Sequence, residues 1–214
     1  MLVEERMTRN PVTVRDDTSL YDALKIMREN KVRRLPVLDK NGKLVGIVSE
    51  KDLLYASPSP ATSLNVWEIS YLTARITVRE LMTKQVITIC EDCPMEEAAR
   101  IMVDNRVGGL PVVRGDTLVG IITETDLFKV FLELLGAREQ GTRFTLLVPE
   151  RKGMLADISG QIAQMGGNIV ALGTFLGDDP TNRLIAMKVQ DVDKDQLWSQ
   201  LEKLGAKLVD VREM

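Results

Sequence analysis

One stretch of this 214-residue chain occurs twice, and an internal repeat limits the fold more than any other sequence feature. MTRNPVTVRDDTSLYDALKIMRENKVRRLPV, from Met7, lies against MTKQVITICEDCPMEEAARIMVDNRVGGLPV, from Met82. Matched positions include Met7/Met82, Thr13/Thr88, Asp17/Asp92, Ala23/Ala98, Met27/Met102, Asn30/Asn105, Val32/Val107 and Pro36/Pro111. After the loss of one residue, LVGIVSEKDLL from Leu44 matches LVGIITETDLF from Leu118, and the leaders VEERM and VRELM extend the match upstream. Two copies of one unit therefore fill most of the chain as far as Leu135.

Each copy reads strand, helix, strand, strand, helix. Val12 and Val14 alternate with polar neighbours as a short strand does. Leu20, Ala23, Leu24 and Met27 fall at i, i+3, i+4 and i+7, as do Met95, Ala98, Ala99 and Met102, which puts one buried helical face in each copy. Apolar runs Leu35–Leu38 and Leu44–Val48 flank Asp39-Lys40-Asn41-Gly42, and Asn-Gly is a strong hairpin signal. Helices open at Ser49 and Thr123, and the second ends near Gly136. Ser57-Pro58-Ser59-Pro60 breaks the pattern between the copies, and a helical pattern around Trp67, Ile69 and Tyr71 follows. Past a second linker, Phe144, Leu146 and Val148 alternate as a strand, and Leu155, Ile158 and Ile162 have helical spacing. Ile169 to Phe175 and Leu184 to Val189 read as strands, Leu197, Leu201 and Leu204 as a helix, and Leu208 to Val211 as a last strand. The order βαββαβ is that of a split βαβ unit, so the class is mixed α+β or α/β.

The sharpest motif is G-h-h-[ST]-x-x-D, present as Gly46-Ile47-Val48-Ser49-Glu50-Lys51-Asp52 and as Gly120-Ile121-Ile122-Thr123-Glu124-Thr125-Asp126. Ser49 with Asp52, and Thr123 with Asp126, have the spacing of a capping box, which needs no ligand to explain it. A carboxylate at a helix start can also accept hydrogen bonds from the two hydroxyls of a ribose, with free N–H groups nearby for a phosphate. The two readings are compatible. With LPV in each copy, this ending resembles a tandem pair of cystathionine-β-synthase (CBS) domains, a Bateman module, over about residues 1–135. The resemblance implies adenosine-containing ligands such as AMP, ATP or S-adenosylmethionine in clefts between the repeats. It places Asp52 and Asp126 on ribose, Ser49 and Thr123 by ribose or phosphate, and Thr13 and Thr88 along the clefts. Val12, Val32, Ile87 and Val107 become candidates for walls around adenine. Lys31, Arg33 and Arg34 give the first repeat three candidate phosphate donors, where the second has Arg106, Gly108 and Gly109. The bland alternative for Arg33 and Arg34 is solvated surface charge. Gly108-Gly109 reads as room for a close backbone approach.

Residues 143–214 resemble an ACT domain, a small βαββαβ module that senses amino acids. Arg151-Lys152-Gly153-Met154-Leu155 stands where that family has Arg-Pro-Gly-x-Leu, and Gly166-Gly167-Asn168-Ile169 matches its G-x-N-I turn. The resemblance makes Glu150, Lys152, Gly153, Met154, Leu155, Asn168 and Ile169 candidates for a ligand site. Lys152 departs from the usual proline, and a purely dimerising role stands beside ligand binding. The expected boundaries are 1–56 for the first repeat, 57–74 for a linker, 75–135 for the second repeat, 136–142 for a second linker and 143–214 for the last domain. A CBS pair with one ACT domain is similar to the bacterial acetoin-utilisation accessory proteins, which implies a regulator without chemistry of its own.

Composition narrows the function classes further. The chain has no His, the commonest acid–base group near neutral pH and a frequent metal ligand. Cys90-Glu91-Asp92-Cys93 lacks the four ligands of a structural zinc site, and Cys93 matches Thr18 ahead of a helix. No nucleophile–base pair or phosphate loop is present, so no catalytic cofactor and no metal are expected. Two Cys without a secretion signal fit a reducing cytoplasm. A net charge of -3 disfavours nucleic acid as a partner, and no apolar run has the length of a membrane span. The expected partners are an adenine nucleotide, a regulated protein and at least a second copy of the chain. A direct nucleic-acid regulator, an enzyme and a ligand-free assembly module are the alternatives.

Overall fold

The computed structural model describes residues 1–57, 68 and 75–214. The Pro58-Ser59-Pro60 break and the helical pattern around Trp67, Ile69 and Tyr71 lie outside the described residues. The chain divides into two compact units, Met1–Leu127 and Phe128–Met214.

In the first unit, a 3-10 turn (Val3–Glu5) and β1 (Thr8–Arg9) lead into the first repeat: β2 (Val14–Arg15), α1 (Leu20–Asn30), β3 (Arg34–Leu38), β4 (Leu44–Ser49) and α2 (Glu50–Ala56). The second has a short leader helix α3 (Val78–Leu81), then β5 (Ile89–Cys90), α4 (Met95–Asn105), β6 (Gly109–Arg114), β7 (Thr117–Thr123) and α5 (Glu124–Leu134), which runs on into the second unit. The expected faces are the buried ones. Leu20, Ala23 and Met27 of α1 pack with Val14, Leu35, Val37, Val48 and Leu53, each large side chain contributing about 1.5–3 kcal/mol by burial. Ser19 caps α1 by accepting the N–H of Asp22. The Asn-Gly hairpin forms with Gly42 at φ +79°. The strand expected over Val12 and Val14 is only two residues long, Val14–Arg15, paired in parallel with β3.

An exchange of leaders departs from the linear reading. β1 pairs not with the first repeat but with β7 of the second, Thr8 opposite Ile121. The second leader does the reverse, bridging Thr83 to Ile47 of β4, and Val78 is buried in the first repeat's core. The hydrogen bonds are duplicated: Val3 N–H donates to Cys93 O as Val78 N–H donates to Thr18 O, and Glu4 N–H to Glu91 O as Arg79 N–H to Asp16 O. The first residue of each G-h-h-[ST]-x-x-D motif now has a cause. A Cβ on Gly46 would collide with the Met82 sulfur, and one on Gly120 with that of Met7.

The second unit continues with β8 (Thr142–Pro149), α6 (Met154–Gln164), β9 (Asn168–Leu176), β10 (Asn182–Gln190), α7 (Lys194–Lys203) and β11 (Lys207–Glu213). Its antiparallel sheet has the order β11-β8-β10-β9, which is the expected split βαβ arrangement. Phe144, Leu146, Val148, Ile185, Met187 and Val189 form a core with Ile158, Ile162, Leu197 and Leu201. Leu155 was expected on the buried face of α6 but is 43% exposed, while Met154 is buried. The helix starts at Met154, so Met154, Ile158 and Ile162 share one stripe at i, i+4 and i+8 and Leu155 turns off it. Residues 136–140 are pinned to this sheet rather than loose: the buried Lys188 donates from Nζ to Gly136 O (2.8 Å) and Glu139 O (2.9 Å). No described helix is long and apolar enough to cross a membrane.

Candidate functional site

Both motif copies form the caps that their spacing requires. In the first, Ser49 Oγ donates to Asp52 Oδ2 at 2.6 Å, Ser49 N–H donates to the same oxygen at 2.8 Å, and Asp52 N–H donates back to Ser49 Oγ at 3.3 Å. In the second, Thr123 Oγ1 and the Thr123 N–H donate to Asp126 Oδ2 at 2.7 and 3.1 Å. Antiparallel pairing sets these hydroxyls, with Ser49 opposite Arg34 and Thr123 opposite Gly109. Asp126 is buried at 7% exposure and Asp52 is half-buried. Buried carboxylates are costly unless hydrogen-bonded, and both are. At Asp52 the cap uses Oδ2 alone, so Oδ1 stands outside it.

Thr13 and Thr88 are half-buried, each one residue before the first strand of its repeat. Val12 and Val32 pack at the edge of the first core, and Ile87 and Val107 are half-buried. Lys31 and Arg106 are exposed and end α1 and α4 in the left-handed region, each at φ 54°. Non-glycine residues adopt that conformation at a cost, and here it recurs at matched positions.

Arg33 is exposed, but Arg34 does not follow the expected grouping with the first repeat's donors. Its guanidinium reaches the second repeat, where Nη2 lies 3.8 Å from Glu124 Oε2. A Cβ on Gly108 would collide with that guanidinium, and one on Gly109 would lie 3.2 Å from Arg34 Cδ and 3.4 Å from Thr123 Cγ2. The glycine pair is the close-approach surface read from sequence, and what approaches it is a side chain from the other repeat. Sequence spacing could not give that direction, because a strand residue's side chain leaves the ladder that its backbone joins.

Cys90 and Cys93 are joined in a disulfide rather than held as the expected thiols. The turn closed by the Cys93 N–H on Cys90 O brings their Cα atoms to 5.3 Å, within disulfide range. Cys90, Asp92 and Cys93 form a cluster of metal-ligating types, but bonded sulfurs are not thiolate ligands. Beside it Arg114 holds the Glu91 carboxyl below the usual carboxylate range by a side-chain hydrogen bond.

The candidates of the second unit separate into two depressions. Glu150, Gly153, Met154 and Leu155 line one of about 330 Å³. Asn168 and Ile169 line another of about 660 Å³ with Gly136 and Gln190. Glu150 is paired with Arg183, Arg151 with Asp157 at 2.6 Å, and Lys152 is exposed. Gly153 starts α6 at φ +87°.

Comparison with known proteins follows this division. The CBS-domain family profile matches residues 3–59 and 78–133. A crystal structure described as an acetoin utilization protein (AcuB) of Vibrio cholerae is 36% identical, covers 65% of this chain and 96% of its own, and has a TM-score of 0.53. The CBS domain pair of protein MJ0100, crystallised with 5′-methylthioadenosine and S-adenosyl-L-methionine, is 30% identical, covers 65% of this chain and 98% of its own, and has a TM-score of 0.52. CBSX2, crystallised with AMP, is 34% identical, covers 61% of this chain and 96% of its own, and has a TM-score of 0.50.

Proposed function

The chain belongs to the CBS-domain family, and from that premise we propose that it is a non-catalytic regulator that senses adenosine-containing ligands in the clefts of its repeat pair. The observation that carries this reading is the pair of matched Ser49–Asp52 and Thr123–Asp126 caps, where a half-buried or buried carboxylate and a hydroxyl meet at a helix start. Such a carboxylate accepts two hydrogen bonds from a ribose, and the hydroxyl and helix N–H groups face an anion. Thr13, Thr88, Val32 and Val107 supply the surrounding wall, and Lys31, Arg33 and Arg106 are the exposed cations at hand. Relatives bound to AMP, 5′-methylthioadenosine and S-adenosyl-L-methionine support the ligand class.

Residues 143–214 act in this proposal as an ACT-type domain that binds a small molecule or joins two copies of the chain. The βαββαβ order supports it, while the separation of its candidate residues into two depressions favours the joining role. The AcuB relative supports a role linked to acetoin utilisation, exerted through a protein partner.

A thermal-unfolding screen against AMP, ATP, S-adenosylmethionine and 5′-methylthioadenosine tests the reading. A ligand present at 100 times its Kd stabilises the native state by about 2.7 kcal/mol, which raises the midpoint by several degrees. No shift with any of the four contradicts it.

A further inference from the structure

The repeat supplies its own comparison for the four-residue turn 90–93. The matched turn 15–18 contains no sulfur, yet it closes in the same way: Thr18 N–H donates to Arg15 O at 3.1 Å, as Cys93 N–H donates to Cys90 O at 3.3 Å. A leader grips each turn from outside, Val78 N–H on Thr18 O and Val3 N–H on Cys93 O. The backbone of the turn therefore does not need the two sulfurs. The acidic residue of the turn also differs between the copies. Asp17 is held by the Arg15 guanidinium at 3.1 and 3.0 Å. Its match is Asp92, and Cys90 stands in the place of that arginine. Asp92 is exposed and has no hydrogen-bond or ion-pair partner among the described residues, whereas Glu91 is taken up by Arg114 at 2.8 Å.

We propose that Cys90, Asp92 and Cys93, in the dithiol state of the chain, bind a thiophilic divalent cation of the Zn²⁺ class through two thiolates and one carboxylate. Their ligand atoms lie within 4.8 Å of one another on one solvent-facing turn. A dithiol reductant opens the site: the Cys90–Cys93 S–S bond breaks, an S–S bond forms in the reductant, and its two thiol protons pass to the Cys90 and Cys93 sulfurs. The cation then displaces those two protons as it bonds to the sulfurs. Three protein ligands are too few for a closed structural zinc site, but they are the complement of an open one, with water in the remaining position. Thiolates select Zn²⁺ over Mg²⁺ and Ca²⁺, which require oxygen ligands. Because the leader and the turn's own hydrogen bond fix its backbone, little ordering remains to oppose binding. Oxidation to the disulfide closes the site, so occupancy follows the redox state of the chain.

Co²⁺, whose tetrahedral thiolate complexes are coloured, is the probe, with Zn²⁺ and Mg²⁺ as competitors. The full chain is reduced, freed of reductant in the absence of air, and titrated. Reduced wild type should develop a thiolate-to-cobalt absorption band that saturates at one cation per chain, disappears on adding Zn²⁺ and survives Mg²⁺. The oxidised chain, identical in sequence, and the Cys90→Ser/Cys93→Ser variant should develop none. Asp92→Asn should weaken Co²⁺ binding by about tenfold or more, since even a hydrogen-bond partner of a metal ligand is worth that much. Asp17→Asn, at the matched position, should leave it unchanged. The oxidised wild type keeps the comparison free of any folding defect in a variant. Absence of the band in reduced wild type overturns the inference, as does a band that persists in Cys90→Ser/Cys93→Ser or equal affinity in Asp92→Asn.

Discussion

Asp52 and Asp126 are hydrogen-bonded at helix starts, the proposed function gives the same carboxylates a binding role, and substitution separates the two. Ser49→Ala removes a cap hydroxyl, and a cap of this kind is worth about 0.5–2 kcal/mol of stability, read as a lower urea midpoint. Asp52→Asn keeps a helix-compatible polar group, so its larger effect should fall on ligand affinity. Lys188 is the other residue whose environment fixes its role. It is 2% exposed, among the described residues it has no carboxylate partner, and its ammonium holds the Gly136 and Glu139 carbonyls. A cation at a helix C-terminus is favourable, which offsets part of the cost of burial. Lys188→Met should leave Glu139 O without this donor and Gly136 O with the Glu139 N–H alone, and destabilise the second unit by about 1–3 kcal/mol, measured by denaturant titration. At this scale the sequence was legible where the chemistry is local. Ser49 and Asp52 lie three residues apart and can only meet across one helical turn. Arg34 and Lys188 act across long sequence separations, and nothing in their neighbourhoods announces the target.

Leader exchange governs the elements of the repeat pair. Met7 over Gly120 and Met82 over Gly46 are the same contact made twice in opposite directions. Adding a methyl group in such a place forces a shift that costs about 1–3 kcal/mol. Gly120→Ala should therefore destabilise, and Met7→Ala should relieve part of the loss. In a double-mutant cycle the pair should be non-additive by about 0.5 kcal/mol or more; strict additivity would mean that the two residues do not share the space. The helices were readable because α1 and α4 bury one stripe each and show it as helical periodicity. The hairpin was readable from Asn41-Gly42. The exchange was not, since both copies offer the same acceptors and a leader's apolar pattern does not say which copy it docks on. β2 and β5 came out two residues long because only those positions meet the neighbouring strand. Leu155 was misplaced because one residue of helix phase moves a side chain by about 100°.

As a whole molecule the chain combines a repeat pair with a βαββαβ domain, and both present apolar surface. Leu54 and Tyr55 of α2, Phe128, Phe131 and Leu134 of α5, and Leu208, Val209 and Val211 of the edge strand β11 are exposed. Exposed apolar groups and an unpaired strand edge favour self-association. Light scattering at micromolar concentration should give at least twice the chain mass of 23.9 kDa, and a monomer mass would contradict the expected dimer. The repeat pair and the mixed α+β class were readable from the duplicated segment and from the change of pattern after it, because helices and strands each show their own hydrophobic period. The central claim is that the duplicated caps are ligand sites, and calorimetric titration of AMP into wild type and into the Asp52→Asn/Asp126→Asn double variant tests it most directly. The account predicts saturable binding to wild type and a loss of about 1.5–3 kcal/mol or more in the variant, with its far-ultraviolet dichroism unchanged. Equal affinity in the two proteins would contradict it and leave these residues as helix caps alone.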